Sequence, residues 1–489
     1  MTAPSGADDR AQLQPSLAEL RQSLWSAFAR SVRDNMVAEV AVQVLRVGGM
    51  VVLARALRPE DFGLLKVLVV VSVFATLLCE GGIPDATIQR KQLSREHEVT
   101  AWWLNLALTA VTITGLYLLA PFIAVAMEMP ALTFGIRLMC IPLALEGTAI
   151  SANARLRREL RFGALALADV VGEVAFLAAA FILLWLNYPE LSLAGGLAAR
   201  LAFHALTVWI ADPRVPLGTP RIAAACDLGR FSLSVCGGRV ITSASGNADY
   251  ILVGRLLGSG ALGFYSIAWD LLRFVPDRLH KVAGRVAFPA FSRLQDDDDE
   301  FARAYGNFVN YVARVVLPIA ACAAIAAPEL LGSIYGVKWI PAAWPMRLLA
   351  GGLALAGLRT GIGSVYYAKN YPSFDIYLNG MRLGLIVAAV IACADAGMGL
   401  FGVSASVSAV EAVISIAGEY LACMLVGMRM RDFWRATLPG VRTAVFCAVA
   451  TAAGKIVAQL LGIDAPTVLV FVAAPPAAAF LWLEAREVI

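Results

Sequence analysis

Charge is what this chain has least of. Of its 489 residues, 16% are charged and 59% hydrophobic, and the mean hydropathy is +0.72. A water-soluble fold cannot hide that much apolar side chain, because roughly half of any folded surface faces water. Most of the chain must therefore have lipid as its solvent. Histidine is scarcer still: His97, His204 and His280 are the only three, and none has a metal-ligand spacing. The eight cysteines (Cys79, Cys140, Cys226, Cys236, Cys322, Cys393, Cys423 and Cys447) stand singly, with no CxxC pair. They read as small packing residues and not as disulfides or metal ligands. No metal or cofactor is expected. A GxxxxGKS/T loop is also missing, and Gly454-Lys455 lacks its first glycine, which excludes ATP hydrolysis by that route. The net charge of +4 is too small to suggest a nucleic-acid partner.

What is present is a series of apolar segments, about fourteen, each near the ~20 residues that cross a hydrocarbon layer. The first half holds six, at 36–54, 64–84, 101–126, 131–153, 163–186 and 193–211. Six more follow at 230–252, 260–280, 305–326, 343–367, 376–394 and 399–427, and two close the chain at 436–458 and 466–484. The expected fold is all-α and polytopic: two six-helix lobes, 35–212 and 230–428, joined by a linker at 213–229 and followed by two additional helices in 429–489. Residues 1–34 stand apart. Residues 1–11 are polar, and from Leu13 onward Leu17, Leu20, Leu24, Phe28 and Val32 recur at helical spacing among Arg21, Arg30 and Arg33. That pattern predicts an amphipathic helix on the membrane surface, and no signal peptide.

The loops alternate in charge. One set carries Arg90, Lys91 and Arg95; Arg155, Arg157, Arg158 and Arg161; Arg214, Arg221 and Arg230; then Arg278, Lys281, Arg285 and Arg293; Lys369; and Arg429, Arg431 and Arg435. The opposite loops are poor in positive charge, apart from the first, with Arg55, Arg58 and Lys66. The positive-inside rule then puts both termini in the cytoplasm, as an even span count requires. The acidic run Asp296–Glu300 falls in a loop of the positive side and lacks the ligand spacing and glycine of a calcium site.

A repeat organises the middle of the chain. Glu39, Gln43 and Arg46 occupy the register of Arg239, Ser243 and Gly246, and Arg55, Leu57 and Gly63 that of Arg255, Leu257 and Gly263. In the first copy, Glu39, Gln43 and Arg46 share one helical face; in the second, Arg239, Thr242, Ser243, Gly246, Asn247 and Tyr250 form a polar stripe. Ionisable groups within spans are costly and face either a neighbouring helix or a hydrated cavity. Both readings fit here: stripes buried between helices, or stripes lining a cationic cavity for an anionic cargo such as a diphosphate. Arg46 and Arg239 are the first candidates to bind it, because the guanidinium fork matches two oxygens at once. Gln43, Ser243 and Asn247 lie beside them, and Arg314, Arg347 and Arg359 are weaker candidates. Glu39 is a candidate for taking up a coupling ion, or simply a counter-ion to Arg46. Glu80 and Asp85 stand where the second copy has His280 and Arg285, and these four are either a gate or ordinary interface charges. Unchanged transport in Glu80→Gln and Arg285→Gln would remove the gate.

Several stretches together resemble the Wzx-type polysaccharide flippases of the multidrug/oligosaccharidyl-lipid/polysaccharide exporter superfamily. They are Leu53–Gly63 (LARALRPEDFG), Ile88–Leu108 (IQRKQLSREHEVTAWWLNLAL), Arg157–Phe162 (RRELRF), Asp249–Trp269 (DYILVGRLLGSGALGFYSIAW) and Phe288–Asp297 (FPAFSRLQDD). The resemblance is ordered over residues 40–300 and rests mainly on span count beyond 380. It implies two lobes in a V, and a cargo of oligosaccharide on undecaprenyl diphosphate that alternating access moves from the cytoplasmic to the periplasmic leaflet. It also implies a bacterial inner-membrane location, membrane lipids as surroundings, and a polysaccharide polymerase and chain-length regulator as partners in exopolysaccharide, lipopolysaccharide or capsule synthesis. It does not say which arginines hold the diphosphate. A drug or small-molecule antiporter of the same superfamily is the alternative. An enzyme is not expected, because the external loops are too short to carry a catalytic domain.

Overall fold

The computed structural model describes residues 38–460, with residues 281–286 described by backbone alone. The surface helix expected from Leu13 and the span expected at 466–484 lie outside the described residues. Within them the chain is helical, with no strand. Lipid dictates this, because a spanning backbone must satisfy its own N–H and C=O groups. Eleven of the described helices are long and apolar enough to cross a membrane.

The helices are α1 (38–56), α2 (Pro59–Glu80), α3 (Ile83–Gln89), α4 (Arg95–Ala126), α5 (Ala131–Arg158), α6 (Phe162–Trp185) and α7 (Pro189–Ala211). They continue with α8 (Ile222–Arg293), α9 (Asp298–Ile325), α10 (Ala327–Ile334), α11 (Ala343–Leu358), α12 (Ile362–Ala368), α13 (Ser373–Asp395), α14 (Gly399–Val426) and α15 (Met430–Leu460). Four expected spans differ in detail. The segment read as 64–84 is α2, which stops at Gly81 and Gly82, where φ is 55° and 73°, before the short α3. The spans read as 230–252 and 260–280 are two helices that run end to end within α8 and are separated by a kink at Gly258 (φ 84°, ψ 173°), a conformation open in practice only to glycine. The span read as 343–367 is broken between α11 and α12 at Arg359–Gly361.

The described residues divide into two compact units, 38–50, 75–118 and 137–236 in one, and 51–74, 119–136 and 237–460 in the other. In the first, α5, α6 and α7 pack through small side chains: Ala149, Ala152, Leu156, Ala168, Ala205 and Val208. Helices in lipid gain nothing from hiding apolar surface, so close backbone approach through small residues holds them. Gly172 and Gly196 carry that approach, since a Cβ there would lie 3.2 Å from the Arg200 carbonyl and 2.9 Å from the Phe176 carbonyl. Asn105 on α4 donates to the Cys79 and Glu80 carbonyls at 3.0 Å each, satisfying the open end of α2.

The second unit has an aromatic core where α8, α9, α12, α14 and α15 meet, built on Phe291, Phe301, Tyr305, Tyr366 and Phe433. It also contains both copies of the repeated turn. A Cβ on Gly63 would lie 1.9 Å from the Ser259 carbonyl oxygen, and one on Gly263 would lie 1.9 Å from that of Pro59. The contacts are reciprocal with a 200-residue offset on each side, so the first turn of α2 and the helix after Gly258 cross about a local two-fold axis. Around them Lys338 donates to the Arg55 carbonyl at 2.9 Å, Trp339 to the Ala54 carbonyl at 2.8 Å, and Arg55 to the Ile334 carbonyl at 3.0 Å. Arg255, the partner of Arg55 in the repeat, pairs with Glu128 at 2.6 Å.

Candidate functional site

In the first unit a ladder of charged side chains runs through α1, α6, α7 and α5. Glu173 on α6 is its centre, with a side chain only 3% exposed. Arg46 on α1 donates to its Oε2 from Nη2 at 2.9 Å and from Nε at 3.3 Å. Arg200 on α7 places Nη1 3.9 Å from the same oxygen. The tight α6–α7 approach at Gly172 and Gly196 makes this convergence possible. Two guanidiniums thus share one buried carboxylate while their own side chains stay 39% and 43% exposed. The arrangement is a fixed, net-cationic pair with donors to spare, suited to an anion that presents several oxygens.

One turn further along the same helices, His204 stands between two carboxylates. Its Nδ1 is 3.7 Å from Glu146 Oε1 on α5, and its Nε2 is 3.7 Å from Asp169 Oδ1 on α6. A cavity of about 30 Å³ adjoins it, lined by Thr76, Glu80, Glu146, Asn153, Arg157 and His204.

The expected site residues fall as follows. Arg46 finds its carboxylate in Glu173, while Gln43 donates to Glu39 at 3.3 Å. Glu80 lines the small cavity, and Asp85 lies half-buried in α3. In the second unit Arg239 and Ser243 are half-buried on α8. Asn247 turns its amide onto the Ser243 carbonyl at 2.8 Å, so that group is satisfied along its own helix. His280 is exposed, and the side chain of Arg285 lies outside the described residues. Tyr250, at the end of the stripe, is buried under Lys66, whose Nζ lies 4.0 Å from the ring centre and 2.8 Å from Asp270. Arg347 donates to the Ala324 carbonyl at 3.3 Å.

Sequence reasoning passed over Glu146, Asp169, Glu173, Arg200 and His204. Their signal was present: Asp169/Glu173 and Arg200/His204 are i, i+4 pairs inside apolar spans, the same spacing that singled out Glu39, Gln43 and Arg46. It also passed over Arg382 on α13. That side chain is buried, donates from Nε to Glu411 on α14 at 2.9 Å, and bonds Ser245 on α8 through both its carbonyl and its hydroxyl.

A family model described as "Polysaccharide biosynthesis protein" matches residues 52–344, more than half of the chain. The chain belongs to the polysaccharide biosynthesis protein family. Among curated members, the lipopolysaccharide biosynthesis protein WzxC of Escherichia coli is 24% identical over 73% of each chain. The succinoglycan biosynthesis transport protein ExoT of Rhizobium meliloti is 26% identical over 74% of this chain and 72% of its own. The teichuronic acid biosynthesis protein TuaB of Bacillus subtilis is 22% identical over 75% and 76%. The resemblance to Wzx-type proteins read from the sequence therefore holds. Among solved structures, the lipid II flippase MurJ in an inward closed conformation superposes with a TM-score of 0.72 at 11% identity, covering 93% of this chain and 99% of its own. An inward-facing multidrug resistance MATE transporter superposes with a TM-score of 0.66 at 14% identity, over 79% and 94%. At such identities the likeness fixes the fold: this family member is a multi-pass helical membrane protein with the fold of that exporter superfamily.

Proposed function

We propose that the protein flips an oligosaccharide carried on undecaprenyl diphosphate across the bacterial inner membrane by alternating access, with both termini in the cytoplasm. The observation that carries this reading is the pair of guanidiniums, Arg46 and Arg200, held on the one buried carboxylate of Glu173. A diphosphate offers such a pair several acceptor oxygens and more than enough negative charge to balance it. The names of the relatives, in lipopolysaccharide, succinoglycan and teichuronic acid synthesis, support a polysaccharide precursor as cargo. Arg239 is the second unit's candidate for the same work. The polysaccharide polymerase and chain-length regulator would act on the flipped product, and the protein itself performs no covalent chemistry.

The test is a host strain lacking the protein. Wild type restores polymer and leaves drug susceptibility unchanged. Arg46→Ala and Arg200→Ala, at equal protein levels, each weaken binding of undecaprenyl diphosphate by roughly ten- to a hundredfold, the size of a lost charge-assisted bond. Lysine substitutions lose less, since they keep the charge but not the fork. Normal polymer output from a stably expressed double alanine variant removes both arginines from the site. Drug resistance gained without polymer would favour an antiporter.

A further inference from the structure

On the side of the first unit where its basic loops lie, a cavity of about 550 Å³ opens between the start of α4, the end of α5 and the segment that follows α7. That size falls within the ~300–1,000 Å³ of small-ligand sites. Arg95 and Glu98 of α4 line it, with Arg155, Arg158 and Glu159 of α5. The segment after α7 contributes Arg214, Val215 and Pro216. Two hydrogen bonds fix that segment against the helices. Arg155 Nη2 donates to the Arg214 carbonyl at 2.6 Å, and Trp103 Nε1 on α4 to the Gly218 carbonyl at 3.0 Å. A second cavity, of about 20 Å³, shares Glu98, Arg155 and Arg158 in its wall. It also includes Ser151, whose buried hydroxyl has no hydrogen-bond partner among the described residues.

The charges of the wall are unevenly satisfied. Arg155 and Arg214 both donate to the buried Asp212, and Arg214 also to Glu159 at 2.7 Å. Arg158 donates to the backbone carbonyls of Thr87 and Lys91, which carry no charge to offset its own. The side chains of Arg95 and Glu98 make no hydrogen bond or ion pair among the described residues. Four guanidiniums therefore stand against the carboxylates of Glu98, Glu159 and Asp212, which leaves at least one positive charge. Helices α4, α5 and α7 are each long and apolar enough to cross a membrane, so a cavity at their ends lies at the depth of lipid headgroups. Trp103, with its ring exposed and its N–H bonded, has the placement of an interface tryptophan. Val215 and Leu217 add exposed apolar surface beside the charged wall.

We propose that this cavity binds the headgroup of an anionic phospholipid, phosphatidylglycerol, with Arg95 and Arg158 on its phosphate oxygens and Val215, Pro216 and Leu217 toward its glycerol and acyl carbons. Guanidiniums suit the phosphate because each offers paired donors, and basic pockets at the ends of spanning helices are a known way to hold anionic headgroups. The single negative charge of the phosphodiester offsets the excess in the wall, which a zwitterionic headgroup does not. Glu98, a carboxylate without a partner, opposes the lipid and sets how tightly the site holds it. A bound headgroup bridges α4, α5 and the segment after α7. None of these residues belongs to the Arg46, Glu173 and Arg200 group, so the inference does not rest on the diphosphate reading.

The test uses purified full-length protein in detergent, titrated with phosphatidylglycerol, phosphatidylcholine and inorganic phosphate, with bound lipid counted by native mass spectrometry. Wild type retains a first phosphatidylglycerol more tightly than phosphatidylcholine, and millimolar phosphate does not displace it. Arg95→Gln weakens that lipid roughly fivefold, as one basic group at a lipid surface is worth. Glu98→Gln removes an opposing charge and tightens it by a similar factor. Arg431→Gln, at an exposed arginine outside the cavity, leaves it unchanged. Arg95 and Glu98 have no partner to lose, and the opposite signs of their effects keep the test decisive should one variant fail to fold. Equal affinity for the two lipids, or equal losses in Arg95→Gln and Arg431→Gln, overturns the site. Displacement by inorganic phosphate overturns the lipid as its ligand in favour of a free anion.

Discussion

At the scale of single residues, several charged side chains within the spans meet a partner of opposite charge. Arg382 and Glu411 show the strictest case, with side chains 4% and 2% exposed. Removing one partner strands the other in a low-dielectric interior, at a cost of about 3–5 kcal/mol, whereas replacing both by apolar residues of similar size is nearly neutral. Thermal unfolding in detergent should therefore show a large loss for Arg382→Met or Glu411→Gln and a much smaller one for Arg382→Met with Glu411→Leu. Just outside α7, Asp212 makes a different pair of contacts. Arg155 Nε donates to it at 2.7 Å and Arg214 Nε at 2.6 Å. Burial pushes this carboxyl up, and the hydrogen bonds from Arg214 and Arg155 outweigh it and leave it below the usual carboxylate range. A depressed carboxyl stabilises the fold above its unfolded value, about 3.9, and loses that contribution as pH falls through the lower folded value. Melting curves of Asp212→Asn should lie below wild type at neutral pH and converge with it below about pH 4.

At the scale of elements, glycines divide by what their backbone touches. In the adjacent pair Gly351 and Gly352, a Cβ on Gly352 would fall 2.6 Å from the Ser408 carbonyl oxygen, while in a second pair Gly237 and Gly238 face open space. Close helix approach explains the first pair and not the second, and nothing in the structure explains Gly237 and Gly238. The repeated turn is the strongest case. Gly63→Val must push the α2–α8 crossing apart against the Ser259 carbonyl, with an overpacking penalty of about 1–3 kcal/mol. Gly260→Ala, where the new Cβ meets only the end of the Glu60 side chain at 3.2 Å, should be tolerated. Comparison of their melting temperatures checks this. Equal values would show that the reciprocal crossing is not a fixed contact.

At the scale of the molecule, hydropathy made the helical membrane class legible, because no other solvent suits a chain that is 59% hydrophobic and 16% charged. The repeat of Arg55, Leu57 and Gly63 in Arg255, Leu257 and Gly263 was visible in the same way, and it ends in a symmetric contact. The Leu53–Gly63 and Asp249–Trp269 stretches supported the family that the match over 52–344 shows. Partners, by contrast, were decided by the tertiary structure alone. Periodicity says which side chains share a face of one helix, so Glu39, Gln43 and Arg46 were found together. It is silent on which helix lies opposite, so Glu173, 127 residues from Arg46, was not. The same holds for His204 between Glu146 and Asp169, whose three helices are brought together by alanines and glycines that carry no chemical signature of their own. In lipid the sequence determines which segments become helices, since each backbone must satisfy itself. Side-chain packing and the cost of an unpaired charge then decide which of those helices meet.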